Sequence, residues 1–226
     1  MNRNRSSRQQ ILERVGAATQ AAAPAAAQLA EAYAELPREY RRRGAMGAEA
    51  HVALMIERLR EYDAEVVECA PGEVAEAIAA QLAASGKRKF VAPAGLPARW
   101  MAPGFEWMVD NDLPASAIEE AEGVVTAAFG GVAESGTIVL HHGPAEGRRV
   151  LTLLPDWHLC VLGASQVVET LPEYFARCEE APQVVTWISG PSATADIEMT
   201  RIKGVHGPRF LHVIVVRDEG REGNSN

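Results

Sequence analysis

Cysteine is scarce in this chain: Cys69, Cys160 and Cys178 are the whole complement. They stand far apart and form no C-x-x-C, so the chain by itself supplies neither the thiolate set of a structural zinc nor that of an iron–sulfur cluster. An odd, low count suits a reducing compartment, and a cytoplasmic setting is expected. Long apolar runs are also missing. The longest uncharged stretch, residues 15–30, is mostly alanine, carries Gln20 and Gln28, and is broken by Pro24. It is too short and too polar to cross about 30 Å of hydrocarbon, so no membrane span is expected. Basic charge is in deficit, with 22 Lys and Arg against 30 Asp and Glu and a net charge of −8. Nucleic acid is therefore excluded as the main partner, because binding phosphate backbones needs a concentrated positive field. There is no G-x-G-x-x-G, no P-loop, no G-x-S-x-G and no H-x-x-x-H, which argues against classical dinucleotide, NTP, hydrolase-elbow and zincin sites.

What is present is an ordinary globular composition, 47% apolar and 23% charged over 226 residues, enough for one well-buried core. The opening MNRNRSSRQQILERV is rich in Arg and Ser, as transit peptides are, but lacks the apolar h-region of a secretory signal. Ile11, Leu12, Val15 and Ala18 read equally well as one face of a helix. Residues 6–35 form an expected helical arm bent at Pro24. A basic linker with Arg38, Arg41, Arg42 and Arg43 follows, read as a solvated loop or as a dock for an acidic partner. Residues 1–47 are thus an arm and linker, 48–216 an α/β body, and 217–226 a disordered tail.

Within the body, Val52, Met55, Ile56 and Leu59 predict a helix over 48–62, and Val74, Ile78 and Leu82 one over 72–85. Strands are expected over 64–68, 89–92, 107–110, 123–127, 136–140, 149–153, 158–162, 183–188 and 211–216, with a helix over 165–177. Alternation of strands and helices predicts a mixed, largely parallel sheet flanked by helices. The middle breaks the alternation. Four strand-like runs between 123 and 162 have no helix between them, so antiparallel hairpins are expected there.

Three constellations carry polar groups on turns. Glu134, Ser135, Gly136 and Thr137 enter a strand; they form a tight polar turn or a close approach to a ligand. Ser189, Gly190, Pro191, Ser192, Thr194 and Asp196 leave a strand through a Gly-Pro turn. If a short helix begins near Ser192, its free amides form an anion site; otherwise Ser192 or Thr194 is a plain cap. That segment also fits the rule that open α/β sheets bind ligands beyond the carboxyl ends of strands. His206 sits between Gly204 and Gly207 on turned backbone, within reach of Asp196, which would orient it as a general base. His141 and His142 are adjacent in a strand and point to opposite faces, so they do not share a metal easily.

Taken together, G-V-A-E-S-G-T, the segment R-R-V-L-T-L-L-P-D-W-H from Arg148 to His158, and I-S-G-P-S-A-T-A-D-I-E followed by K-G-V-H-G-P resemble the LUD-domain family. The opening R-Q-Q-I-L-E-R-V looks like that family's first helix. The resemblance implies the fold shared by sugar-phosphate isomerases, CoA transferases and formyltetrahydrofolate cyclo-ligases. It implies a part in L-lactate oxidation to pyruvate alongside two iron–sulfur partner proteins, with this chain as the cluster-free component and no cofactor of its own. On the motif positions a crevice is expected, with lactate or pyruvate as its small carboxylate ligand. His206 and Asp196 would exchange or orient a proton, with Glu134 the candidate nucleophile of a transferase-like alternative. Ser135, Gly136, Thr137, Ser189, Gly190, Ser192, Thr194 and Gly207 would bind the ligand. The fold leaves two other classes open. One is a free-standing enzyme acting on a phosphosugar, an acyl-CoA or a nucleotide. The other is a sensor or assembly module without chemistry. The arm's apolar face should lie on its own body, on a second copy or on a partner.

Overall fold

Two predominantly hydrophobic strands, each interrupted by one histidine, fix the centre of the second unit. Trp157–Gly163 and Phe210–Val216 run parallel in a seven-residue register from Phe210↔Trp157 to Val216↔Gly163. Such runs suit strands covered on both faces. The computed structural model describes residues 6–20, 26–178, 182, 184–195, 201–204 and 206–218. In chain order the elements are α1 Ser7–Gln20, α2 Ala26–Ala34, α3 Ala48–Glu61, β1 Glu65–Cys69, α4 Val74–Ser85, β2 Lys89–Pro93, β3 Glu106–Asp110, α5 Ala115–Glu119 and β4 Gly123–Ala127. Then follow β5 Gly130–Val132, β6 Thr137–Leu140, β7 Trp157–Gly163, β8 Val167–Val168, α6 Leu171–Arg177, β9 Thr186–Ile188, β10 Ala193–Ala195, β11 Arg201–Lys203 and β12 Phe210–Val216.

The contacts divide the chain at Tyr40. The first unit, Met1–Tyr40, holds α1 and α2, and its apolar residues Ile11, Leu12, Val15, Leu29 and Tyr33 are exposed. Pro24, where the bend was expected, lies outside the described residues. The second unit, Arg41–Asn226, holds a six-stranded sheet in the order β1-β12-β7-β4-β2-β3, with every pairing parallel. A four-stranded sheet, β8-β5-β6-β9, and the β10–β11 hairpin complete it. No helix among the described residues is long and apolar enough to cross a membrane.

Strand alternation sorts the core. On one face of the large sheet, Cys160, Leu162, Leu211, Val213 and Val215 pack with α3 through Val52, Met55, Ile56 and Leu59. The same layer takes Ile138, Leu140 and Val167 of the second sheet. On the other face, Leu159, Val161, Ile214 and Phe90 meet Val74, Ile78 and Leu82 of α4. The outer face of the second sheet buries Val132, Val139 and Val168 against Tyr174 of α6.

The α/β class and largely parallel sheet agree with the sequence reading; several local expectations do not. The run over 149–153 is a 3₁₀ turn, Arg149–Thr152, not a strand. Arg149 Nη1 donates to Thr152 Oγ1 at 2.8 Å and to its carbonyl at 3.2 Å, and these local bonds displace ladder bonds. The helix expected over 165–177 is a 3₁₀ turn, the strand β8, and then α6. Pro172 and the Glu173 carboxylate, which accepts from Thr170 N at 2.9 Å, start the helix late. β4 and β7 are parallel neighbours rather than hairpin partners, because residues 128–156 form a crossover long enough to return the chain. That crossover carries the β5–β6 hairpin, the antiparallel pair of the middle region, into the second sheet. At the far end, Arg217 is not frayed: its amide donates to the Cys69 carbonyl at 2.9 Å, and its guanidinium pairs with Glu68.

Phe90, wholly buried on β2, meets the rings of Phe105, Trp107 and Trp157 at centroid distances of 5.6–5.7 Å. Phe90→Ala is expected to lower unfolding stability by about 3–5 kcal/mol in chemical denaturation, the range for emptying a large buried aromatic site.

Candidate functional site

A cavity of about 280 Å³ opens where the β9 exit, the loop before β12 and the Arg149–Thr152 turn converge. Its floor is made by His158 and Leu211, the second residues of β7 and β12. It therefore lies at the amino ends of the central parallel strands. The carboxyl-end expectation holds only for β9, which belongs to the second sheet.

The structure brings Ser189, Gly190, Ser192, His206 and Gly207 around this cavity. The Ser192 and His206 segments are tied directly, with His206 N donating to Ser192 Oγ at 2.9 Å. The helix considered at Ser192 does not form. The chain continues as β10, paired antiparallel with β11, with Thr194 opposite Ile202. Ser192 N already donates to the Pro208 carbonyl at 2.9 Å, so this amide is not the anion donor of a helix end. Gly190 has φ +80°, and a Cβ there would come within 2.4 Å of Tyr62 Cβ, so the turn after β9 needs glycine. Asp196, the expected partner of His206, lies outside the described residues.

The first constellation stands beside the cavity rather than in it. Thr137 Oγ1 and Ser189 Oγ share a hydrogen bond of 2.7 Å, and Thr137 Oγ1 shares another of 2.7 Å with Ser135 Oγ. Thr137 thus holds Ser189 from behind. Gly136, at φ +58°, packs over Arg58. Glu134 forms an ion pair with Arg41 and is absent from the cavity lining. Arg41 also binds Glu169, whose side chain is 2% exposed and accepts from Met46 N at 2.7 Å. Arg41 of the basic linker therefore neutralises acids of its own chain.

Four lining residues carry chemistry that the sequence reading passed over: Arg149, Thr152, His158 and Thr186. Arg149 is half-buried, and burial alone pulls its guanidinium below the ordinary value. Among the described residues, no acidic residue pairs with it and no Asp or Glu lines the cavity. A desolvated cation without a counter-ion is costly, and an incoming anion relieves that cost. The only side-chain hydrogen bonds of Arg149 among the described residues run from Nη1 to Thr152. The signal was available as the Arg148-Arg149 doublet. Arg148 turns the other way, onto Asp110 at 2.6 Å.

His158 is 1% exposed. Burial, and then the nearby Arg149 charge, push its imidazole down to about 3, so the ring is neutral at physiological pH. Its Nε2 shares a 2.8 Å hydrogen bond with Thr126 Oγ1. His141 and His142 have separate duties. His141 stacks on Phe129 with centroids 3.5 Å apart and bonds Tyr174 OH, whereas His142 bridges Gly147 O and Thr186 Oγ1 at 2.8 Å each.

The family described as LUD domain matches residues 115–216, a span that includes every cavity-lining residue. A lactate utilization protein C from Deinococcus radiodurans is 39% identical over 164 residues, covering 71% of this chain and 76% of that protein. A protein of the same name from Halalkalibacterium halodurans is 41% identical over 107 residues, 44% of this chain and 46% of its own. The crystal structure of a DUF162 family protein from Deinococcus radiodurans is similar with a TM-score of 0.65 and 32% identity, covering 76% of this chain and 99% of that one.

The buried neutral His158 sets a pH dependence. Its folded-state affinity for protons is depressed, so the unfolded chain binds the extra proton. Stability present above the unfolded value near 6.5 is lost as pH falls below it. Between pH 7 and pH 5 this one group should remove about 2 kcal/mol. Urea titrations of the parent and of His158→Gln at both pH values should show a drop smaller by that amount in the variant. Equal drops would mean that His158 is not held neutral.

Proposed function

The chain belongs to the LUD-domain family, and from that premise we propose that it serves L-lactate utilisation by holding a small carboxylate, lactate or pyruvate, at Arg149. The observation that carries this reading is a half-buried guanidinium that, among the described residues, has no acidic partner and faces a cavity with no acidic lining residue. In a chain of net charge −8, a local cation without an acidic partner among the described residues favours an anion as its ligand. The names of the relatives from Deinococcus and Halalkalibacterium support lactate as the metabolic context.

In this reading the planar guanidinium takes the carboxylate. Ser192 Oγ accepts from His206 N, which leaves its own proton free to donate into the cavity. His206 lines the same space and is the group placed to exchange a proton with the substrate. His158 is a poor base at neutral pH and acts as a neutral wall. Oxidation of lactate to pyruvate also releases two electrons. The three scattered cysteines offer no cluster motif, so the proposal assigns electron transfer to two iron–sulfur partner proteins.

One observation favours a second reading, an enzyme acting on a phosphosugar, acyl-CoA or nucleotide. A volume of about 280 Å³ leaves room beyond a three-carbon acid. Titration with phosphosugars, acyl-CoAs and nucleotides beside lactate and pyruvate separates the two.

Two outcomes are expected. In calorimetric titrations, Arg149→Met should weaken lactate or pyruvate binding at least about 30-fold, in line with about 2 kcal/mol for a charge-assisted bidentate contact. In a reconstitution with the iron–sulfur partners, lactate-dependent dye reduction should require this chain, and His206→Asn should slow it while leaving the fold intact. Unchanged turnover with His206→Asn would remove that residue from proton transfer.

A further inference from the structure

We infer that Thr186, polarised by His142, lets this cavity choose a 2-hydroxy acid over the corresponding 2-oxo acid. The inference rests on the carboxylate reading above and adds the functional group beside the carboxylate. His142 follows β6 in a left-handed conformation, φ +59°, uncommon for a residue other than glycine. That backbone sets its ring between two oxygens, Gly147 O at Nδ1 and Thr186 Oγ1 at Nε2, each at 2.8 Å. A peptide carbonyl only accepts, so Nδ1 carries the hydrogen. In the neutral ring Nε2 is then a lone pair, and the Thr186 hydroxyl must donate to it.

A threonine hydroxyl has a single proton. With that proton committed to His142, Thr186 Oγ1 can only accept from anything in the cavity it lines. A ligand hydroxyl can donate to it. A ketone oxygen in the same place would set lone pair against lone pair. Arg149 and Ser192 offer the opposite polarity, donors suited to a carboxylate. Donors for the acid and an acceptor for its neighbour together describe a 2-hydroxy acid. Thr186 is thus a specificity-determining residue and His142 a positioning residue that acts through it. A site built to pair a substrate hydroxyl discriminates strongly against an analogue that lacks it.

The full-length chain is titrated by calorimetry with L-lactate and pyruvate, and with 2-hydroxybutyrate and 2-oxobutyrate. Each hydroxy acid is expected to bind about ten-fold more tightly than its oxo partner. Thr186→Val should abolish the preference, weakening lactate and relieving the repulsion on pyruvate, while Thr186→Ser should keep it. If the parent binds both acids alike, or the oxo acid better, and still loses them with Arg149→Met, the selection is overturned and the carboxylate site stands. If neither acid binds the parent, the carboxylate reading falls and the selection falls with it. Nitrogen-15 shifts of the His142 ring give a readout that needs no ligand. The Nδ1–H tautomer is expected, and an Nε2–H tautomer would overturn the proposal.

Discussion

The parallel pairing of β7 with β12 is the constraint on which the rest of the second unit depends. Both strands are buried on both faces, and their shared register brings His158 opposite Leu211 at the amino edge of the sheet. A slip of one residue would exchange the side chains facing α3 for those facing α4, and would move His158 out of the cavity floor. The hydrophobic alternation that selects the register therefore also selects the site. Two further pieces of the cavity hang on that edge, the Arg149–Thr152 turn before β7 and His206 and Gly207 before β12, while β9 brings Thr186 and Ser189 from the second sheet.

The same architecture explains how an acidic protein keeps a cationic hollow. Acids and bases elsewhere are matched in pairs: Arg148 with Asp110, Arg209 with Asp156, Arg217 with Glu68, Lys89 with Glu120. Even the buried Glu169 has Arg41 and the Met46 amide. Pairing of this kind keeps those charges local. At the cavity the partly desolvated cation without an acidic partner among the described residues is Arg149. The −8 total is a statement about solubility and about nucleic acid, and it does not foretell the sign inside one hollow.

The sequence made the elements legible where periodicity was strong. α3, α4, β2, β4, β7 and β12 fall within a residue or two of their expected bounds, because each presents a clean 3.6-residue stripe or an unbroken apolar run. It misled where short polar motifs decide. Arg149–Thr152 has the composition of a strand, yet a single arginine side chain closes it into a turn. Ser192 resembles a cap, yet β10 needs its amide turned toward Pro208. Of the candidate site, the Ser189–Ser192 and His206–Gly207 pieces were visible as glycine-punctuated polar turns. His158 and Thr186 were hidden because nothing local marks them, and Arg149 was marked only by its doublet with Arg148. Their importance comes from which strand edge they reach, and that follows from the order of strands in the sheet.

The polarity of the cavity is likewise fixed outside it. Hydroxyls are ambivalent in water, and each becomes a donor or an acceptor only when a neighbour takes one of its valences. The His206 amide takes a lone pair of Ser192, which leaves that hydroxyl's proton free to donate. The chain Gly147 carbonyl, His142 ring, Thr186 hydroxyl runs the opposite way, because a carbonyl can only accept. Two backbone groups, the His206 amide and the Gly147 carbonyl, thus set the polarity of two hydroxyls that line the cavity. Preorganisation of this kind costs nothing at the moment of binding, since the dipoles are already turned. It also explains why a left-handed histidine is kept at position 142: the strain of that conformation is the means by which a distant carbonyl orients Thr186.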